Sequence, residues 1–219
     1  MLDDYRLSFG EAYDAVVRTI RNQLKLEPTG RPAKSTSSLV EKLHRESIRL
    51  SQVQDIAGCR VVVGDVAKQD QVVASLEAAF AGASVVDRRT NPSYGYRAVH
   101  VIAQISGKLI EIQVRTALQH LWAEYSEALS DEFDTAIKYG GGEDRLRQML
   151  TATSATVAEL ETFEKKVAPL PQLHGGLVDE KPQPGLQHLR EQVAHMKQQL
   201  AHELNNAIFR LESQKGHKQ

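Results

Sequence analysis

Only one cysteine and one tryptophan occur in 219 residues, and aromatic residues make up 5% of the chain. The lone Cys59 excludes an internal disulfide and fits a reducing compartment. No apolar run approaches the roughly 20 residues that a membrane-crossing helix needs. The opening stretch MLDDYRLSFGEAYD carries acids and no apolar core, so it does not read as a secretory signal. No G-x-x-x-x-G-K-[ST] segment is present, which excludes a Walker-type phosphate loop. There is neither a His/Cys cluster with metal-ligand spacing nor an internal repeat. What remains is globular: 41% hydrophobic and 25% charged residues. The reading is a soluble cytoplasmic chain, not a membrane protein, with one medium domain and appendages.

An excess of charge of one sign is also missing, since the net charge is −1. Its distribution says more. Arg31, Lys34, Lys42, Arg45, Arg49 and Arg60 stand against Glu41, Glu46 and Asp55. From Arg88 to Arg115 the lone acid is Glu111, among Arg88, Arg89, Arg97, Lys108 and Arg115. Beyond it Glu124, Glu127, Asp131, Glu132 and Asp134 follow with no Lys or Arg before Lys138. Basic segments around a lone acid suit a polyphosphate ligand, although charge alone favours an ordinary solvated mixed surface.

The spacing of Phe9, Tyr13, Val16, Val17, Ile20 and Leu24 predicts one helix over Tyr5 to Leu26, ended by Pro28 and Gly30. Ser37 or Ser38 caps a second helix through about Leu50, with Leu39, Leu43 and Ile48 inward. DIAGCRVVVGD (Asp55 to Asp65) is β-rich, Val66 to Phe80 is helical, and Ser84 to Arg89 is a short strand. Arg97 to Ile105 and Leu109 to Arg115 form a hairpin across Ser106-Gly107. Thr116 to Leu129 and Glu143 to Lys166 are helices. Residues 169–185 are a Pro/Gly linker. A last helix carries Leu186, Leu189, Val193, Met196, Leu200, Leu204, Ile208 and Leu211, a narrow coiled-coil-like seam. That seam is expected to pair with a second copy or a partner chain, or else to fold back on the helix around Phe9 to Leu24. This order predicts an α/β (α+β) fold: an open mixed sheet flanked by helices, with at least one antiparallel pair and a C-terminal helical extension. The boundary is placed at the YGGG break, giving a domain over 1–142 and C-terminal helices over 143–219.

Period two places Leu109, Glu111, Gln113 and Arg115 on one face of the last strand, opposite Ile110, Ile112 and Val114. An edge strand with a solvent face would read the same way. Asp55, at the start of a buried strand, could hold Mg²⁺ beside Glu111 on nucleotide phosphates, or could merely cap the strand. Arg31 and Lys34 precede a helix that carries Lys42 and Arg45, so all four can reach phosphates, with help from the helix N-terminus. In NPSYGYRAVH, Tyr94 or Tyr96 offers a stacking platform for a base, and Arg97 and His100 are donors.

The basic loop, Glu41-Lys42-Leu43, DIAGCRVV, NPxxGYRAVH, IEIQVRT and LWAE, in that order, resemble the RelA/SpoT synthetase family over roughly Arg31 to Glu127. The resemblance implies a nucleotidyltransferase-like sheet that transfers the β,γ-pyrophosphate of ATP to a ribose 3′-hydroxyl. The usual acceptor is GDP or GTP and the product an alarmone, ppGpp or pppGpp. By the same resemblance Asp55 is the Mg²⁺ aspartate, and Glu111 binds Mg²⁺ or activates the acceptor hydroxyl. Lys34, Lys42 and Arg60 contact the ATP side, Tyr96 stacks on the acceptor base, and Arg97, His100, Gln113 and Arg115 line the cleft.

Two motifs depart from the family pattern. Pro32 takes the place of the arginine of the family's Arg-x-Lys, with Arg31 one residue earlier. Pro92-Ser93-Tyr94 replaces a loop that often carries lysine. No His-Asp dipeptide is present, and no hydrolase domain or long regulatory C-terminal region is expected. Small relatives of this kind either make alarmones or resemble toxins that place pyrophosphate on the 3′ end of tRNA and are paired with an antitoxin. A non-catalytic nucleotide- or RNA-binding module is the third alternative, against which the Asp55/Glu111 pair argues.

Overall fold

The computed structural model describes residues 2–47, 49, 50, 53, 55–168 and 184–215, and the side chains of Arg31, Ser38, Arg45, Glu46 and Lys215 lie outside the description. Over 169–183 the expected Pro/Gly linker, like Ile48, also lies outside the described residues. The chain forms two compact units. The first comprises residues 1–91 and 98–116, the second 92–97 and 117–219.

The first unit holds one five-stranded sheet, in the order β1-β2-β5-β4-β3. The strands are β1 (Thr29–Arg31), β2 (Ala57–Val63), β3 (Ser84–Asp87), β4 (Val99–Ile105) and β5 (Lys108–Thr116). β2 and β5 are parallel, and the other three pairings are antiparallel. This is the mixed sheet expected, with the antiparallel pair that the hairpin requires. β5 is central, so the edge-strand reading of Glu111 is corrected. β1 is a further correction: Pro28 and Gly30 read as breakers, yet Gly30 pairs with Cys59. A Cβ at Gly30 would fall 2.4 Å from the Gly58 carbonyl oxygen, so only glycine lets β1 approach this closely.

Among the described residues the α-helices of this unit are α1 (Leu2–Leu7), α2 (Gly10–Thr19), α3 (Thr36–Glu46) and α4 (Val66–Ala79). The single helix expected over 5–26 is therefore broken. α1 stops before Ser8, and α2 continues into a π turn over Ile20–Leu24, which Lys25 ends in a left-handed conformation (φ 56°). Asp65 caps α4 by accepting a hydrogen bond from the Lys68 amide. Phe9 just ahead of α2, Val16 of α2 and Ile20 of the π turn, with Val72 and Leu76 from α4, pack on Cys59, Val61, Ile110, Ile112 and Val114. Burying that sheet face stabilises the unit by roughly 1.5–3 kcal/mol for each large side chain. Gln69 fastens α4 to the sheet, its amide donating to the Val114 carbonyl at 2.7 Å. The opposite face of β2 and β5 carries the polar residues, of which Arg115 is buried and Arg60, Glu111 and Gln113 are partly buried.

The second unit is helical: α5 (Ala117–Glu132), a 3₁₀ turn (Thr135–Tyr139), α6 (Asp144–Val167) and α7 (Pro184–Lys215), with the loop 92–97. Trp122, Tyr125, Leu129, Ile137, Leu150 and Leu204 form its main cluster. Leu200, Ile208 and Leu211 of α7 pack against that cluster, and Leu200 also meets Leu118, Val157 and Leu160. The C-terminal part of the α7 seam, from Leu200 to Leu211, is thus covered by α5 and α6 of the same chain. This corrects the expectation that the seam folds back on the helix around Phe9 to Leu24, while Leu189 and Met196 of the same seam stay exposed. A helix seam is satisfied by any complementary apolar surface, and period alone does not say which one.

Candidate active site

The register across the polar face of the sheet sets the site. Gly58 lies opposite Glu111, and Arg60 opposite Gln113. On the other side of β5, His100 pairs with Gln113 and Ile102 with Glu111. Residues paired in this way share a face, so Arg60, Gln113 and His100 form one transverse row with Glu111 in the next. Hydrogen bonds tie the rows together. Arg115 Nη2 donates to Gln113 Oε1 at 2.8 Å, and Gln113 Nε2 donates to Glu111 Oε2 at 2.8 Å. His100 Nδ1 lies 2.8 Å from Glu111 Oε1. Both carboxylate oxygens of Glu111 are therefore engaged, and its side chain is 14% exposed. Burial pushes the Glu111 carboxyl up and the Asp55 charge acts in the same sense, but the bonds from His100 and Gln113 outweigh them and hold it below the usual carboxylate range.

Asp55 stands two residues ahead of β2. Lys34 Nζ bonds its Oδ2 and Lys42 Nζ its Oδ1, each at 2.8 Å. Burial pushes this carboxyl up as well, and the two ammonium groups overcome it and hold it low. Lys34 comes from the loop after β1 and Lys42 from α3. The loop is fixed at both ends of the Lys34 peptide: its N–H donates to the Ile56 carbonyl at 2.6 Å, and its carbonyl accepts from Arg6 Nε at 2.5 Å. Arg6 Nη1 also donates to Thr36 Oγ1 at 2.7 Å. Cys59 lies on the opposite, buried face of β2, where burial and then the Glu111 charge push its thiol up to about 12. It is no nucleophile at neutral pH.

Among the described residues no group of three or more His, Cys, Asp and Glu side chains could hold a metal by itself. Two ionised carboxylates do fit Mg²⁺, which is commonly bound by one or two carboxylates with its remaining positions taken by water and substrate phosphate.

The structure thus brings together Lys34, Lys42 and Asp55 as one cluster, and His100, Glu111, Gln113 and Arg115 as another, with Arg60 on the same face. Arg31 lies in β1 opposite Gly58, and its side chain is outside the description. Tyr94, Tyr96 and Arg97 belong to the second unit. There Ser93 to Tyr96 make a tight turn, closed by the Tyr96 amide on the Ser93 carbonyl at 2.9 Å, with φ 53° at Tyr94 and 91° at Gly95. Positive φ at both central residues is the type I′ signature. Tyr96 packs on the Trp122 cluster, whereas Tyr94 is 62% exposed. Arg6 and Gly58 were missed from sequence. Gly58 left a trace, being a glycine inside a strand pattern, while Arg6 left none.

A family model for the region found in RelA/SpoT proteins matches residues 30–133, which hold all of these side chains except Arg6. The GTP pyrophosphokinase YjbM of Bacillus subtilis is 31% identical over 152 residues, covering 61% of this chain and 67% of that protein. This chain belongs to the RelA/SpoT family. An uncharacterized protein of Mycobacterium tuberculosis is 39% identical over 111 residues, 49% of this chain and 41% of that protein. The chain thus spans about two-fifths of that relative's length. The crystal structure of small alarmone synthetase 1 from Bacillus subtilis bound to its product pppGpp superposes with a TM-score of 0.53 at 25% identity. That match covers 74% of this chain and 92% of the other. Within the RelA/SpoT family the mixed sheet with its flanking helices is the shared frame.

Proposed function

We propose that the chain is an ATP-dependent pyrophosphokinase that moves the β,γ-pyrophosphate of ATP onto the 3′-hydroxyl of GDP or GTP, making ppGpp or pppGpp. One observation carries the reading: a buried Glu111, held ionised by His100 and Gln113, lies in the same unit as an Asp55 that gathers two lysines and whose charge acts on Glu111. The family membership and the product named for the Bacillus subtilis structure support the same reaction.

In the step proposed, the 3′-oxygen bonds to the β-phosphorus as the bond from that phosphorus to the α,β-bridging oxygen breaks. AMP leaves with the electron pair, and the hydroxyl proton passes to a Glu111 carboxylate oxygen. Glu111 is ionised at neutral pH and is aimed by His100 on one oxygen and Gln113 on the other. Lys34 and Lys42, with Arg60 and Arg31 on the ATP side, neutralise the triphosphate. Bound Mg²⁺, held by Asp55 and Glu111, would supply further charge neutralisation on the transferring phosphates. Tyr96 stacks on the acceptor base, and Arg97 and Arg115 complete the acceptor side.

A tRNA 3′ end is the second acceptor reading, favoured by the additional exposed aromatic Tyr94 beside Tyr96. γ-Labelled ATP with Mg²⁺ and either GDP, GTP or bulk tRNA separates the two. Label on the guanine nucleotide is the expected result, and label on tRNA alone reverses the choice of acceptor. Asp55→Asn and Glu111→Gln should each abolish transfer without unfolding the chain; transfer by either at the parent rate rejects the role of that carboxylate.

A further inference from the structure

We infer that Ser154, on α6 and beyond the matched family region, is a positioning residue that sets the acceptor-side tyrosine turn. The inference rests on the proposed reaction for its kinetic consequence, but its geometry lies wholly within the second unit.

The turn Ser93–Tyr96 is held in a conformation that its sequence does not favour. Tyr94 occupies the first central position of a type I′ turn at φ 53°, where Asn, Asp and Gly are the usual residues. A bulky side chain at positive φ persists only where the surroundings over-determine it, and such strain gathers at functional loops. Beyond its own closing bond, three described contacts bear on this turn. Ser154 Oγ donates to the Gly95 carbonyl at 2.6 Å in a buried site, and Ser154 itself is 3% exposed. The Trp122 indole lies under Gly95 so closely that a Cβ there would meet it at 2.7 Å. That indole is itself anchored, its Nε1 donating to the Leu150 carbonyl at 2.9 Å. Beside them, the Tyr94 ring covers Gly140, where a Cβ would stand 2.2 Å from the ring.

Of these three contacts, Ser154 makes the one directional bond to the turn backbone. A buried carbonyl that loses its donor is costly, so without the hydroxyl the turn has every reason to relax toward an ordinary tyrosine conformation. Tyr94 and Tyr96 flank Gly95, whose carbonyl takes that bond. Relaxation would therefore turn both rings at once, and the base platform would be lost while the donor side stays intact. Ser154 itself touches no substrate and acts through Gly95.

Ser154→Ala, the volume-conserving Ser154→Cys and the control Val157→Ala test this. Val157 is buried on the same helix against Leu118 and Leu160, away from the turn. In Ser154→Ala the KM for the guanine nucleotide should rise about 5- to 10-fold, the loss of one net hydrogen bond, with the KM for ATP unchanged. Ser154→Cys, a weak donor, should fall between. Hydrogen exchange at the Tyr96 amide should quicken in Ser154→Ala. Val157→Ala should lower the melting temperature and leave both readouts at parent values. Parent-like acceptor KM and Tyr96 protection in Ser154→Ala overturn the inference, as does the same acceptor defect in Val157→Ala. If the parent itself labels no guanine nucleotide, the proposed acceptor fails, and the exchange of the Tyr96 amide alone decides whether Ser154 sets the turn.

Discussion

Gly58 on β2 faces Glu111 on β5, and a Cβ at Gly58 would stand 2.8 Å from the Glu111 carbonyl oxygen and 3.4 Å from its Cβ. The central parallel pair is therefore closed tightly at the one place where a carboxylate must be aimed. Gly58→Ala forces backbone, not a flexible side-chain end, to move. Overpacking of this kind costs about 1–3 kcal/mol. The variant should melt several degrees below the parent and lose at least tenfold in pyrophosphate transfer, since a displaced Glu111 no longer meets His100 and Gln113 together. A parent-like rate in a folded Gly58→Ala protein would show that this spacing does not govern the site.

Both site carboxyls are held below their ordinary range, and this has a sign in acid. A depressed folded-state pKa contributes stability that is present above the unfolded value and is lost as pH falls through the folded one. For Glu111 and Asp55 the loss should begin below about pH 4, the ordinary carboxylate value. Between pH 5 and 8 neither group adds any slope. Urea midpoints at pH 5.5 and 3.5 read this directly. Glu111→Gln should lose less stability than the parent over that interval. An equal loss in both proteins would mean that the bonds from His100 and Gln113 do not favour the ionised form.

The polar face of β5 was legible because period two is a local property: Glu111, Gln113 and Arg115 alternate with Ile110, Ile112 and Val114 whatever the strand pairs with. Its pairing was not legible. Whether His100 reaches Glu111 depends on the β4–β5 register, and whether Arg60 joins the row depends on a parallel partner about 50 residues away in the chain. The break between α1 and α2 was hidden because Tyr5, Phe9 and Tyr13 keep helical spacing across it. β1 was hidden because Gly30 signals a turn and a close strand approach equally well. The seam of α7 was visible as a seam, while the surface covering its C-terminal part was supplied by α5 and α6, remote in sequence. Ser154 and Arg6 carry no local mark at all, since each acts by bonding a carbonyl far along the chain.

Arg6 gives the next prediction. Its guanidinium bridges the Lys34 carbonyl and the Thr36 hydroxyl, and it pairs with Asp3 at 2.5 Å. α1 thus clamps the loop that delivers Lys34 to Asp55. Arg6→Ala should weaken ATP binding about 3- to 10-fold, the equivalent of one or two net hydrogen bonds lost from the loop, while guanine-nucleotide binding holds. Titration with a fluorescent ATP analogue measures it. Unchanged ATP affinity would show that the Ile56 bond alone holds the loop.

Leu204 decides what α7 is for. It is 4% exposed and sits in the cluster of Trp122, Tyr125, Leu129, Ile137 and Leu150. If the seam served a second chain, shortening Leu204 would change the assembly and leave the helical unit standing. Since α5 and α6 cover the part that holds Leu204, the cost should instead appear as stability. Leu204→Ala should lose about 2–5 kcal/mol, the range for a buried leucine whose site collapses incompletely. On a chain of this length that is a fall of roughly 4–20 °C in melting temperature. Phe209, 70% exposed on the same helix, is the control: Phe209→Ala should shift the melting temperature by less than about 2 °C, as surface substitutions do. Light scattering of parent, Leu204→Ala and Phe209→Ala should give one and the same mass. A smaller assembly in Leu204→Ala at an unchanged melting temperature would return the seam to a partner chain.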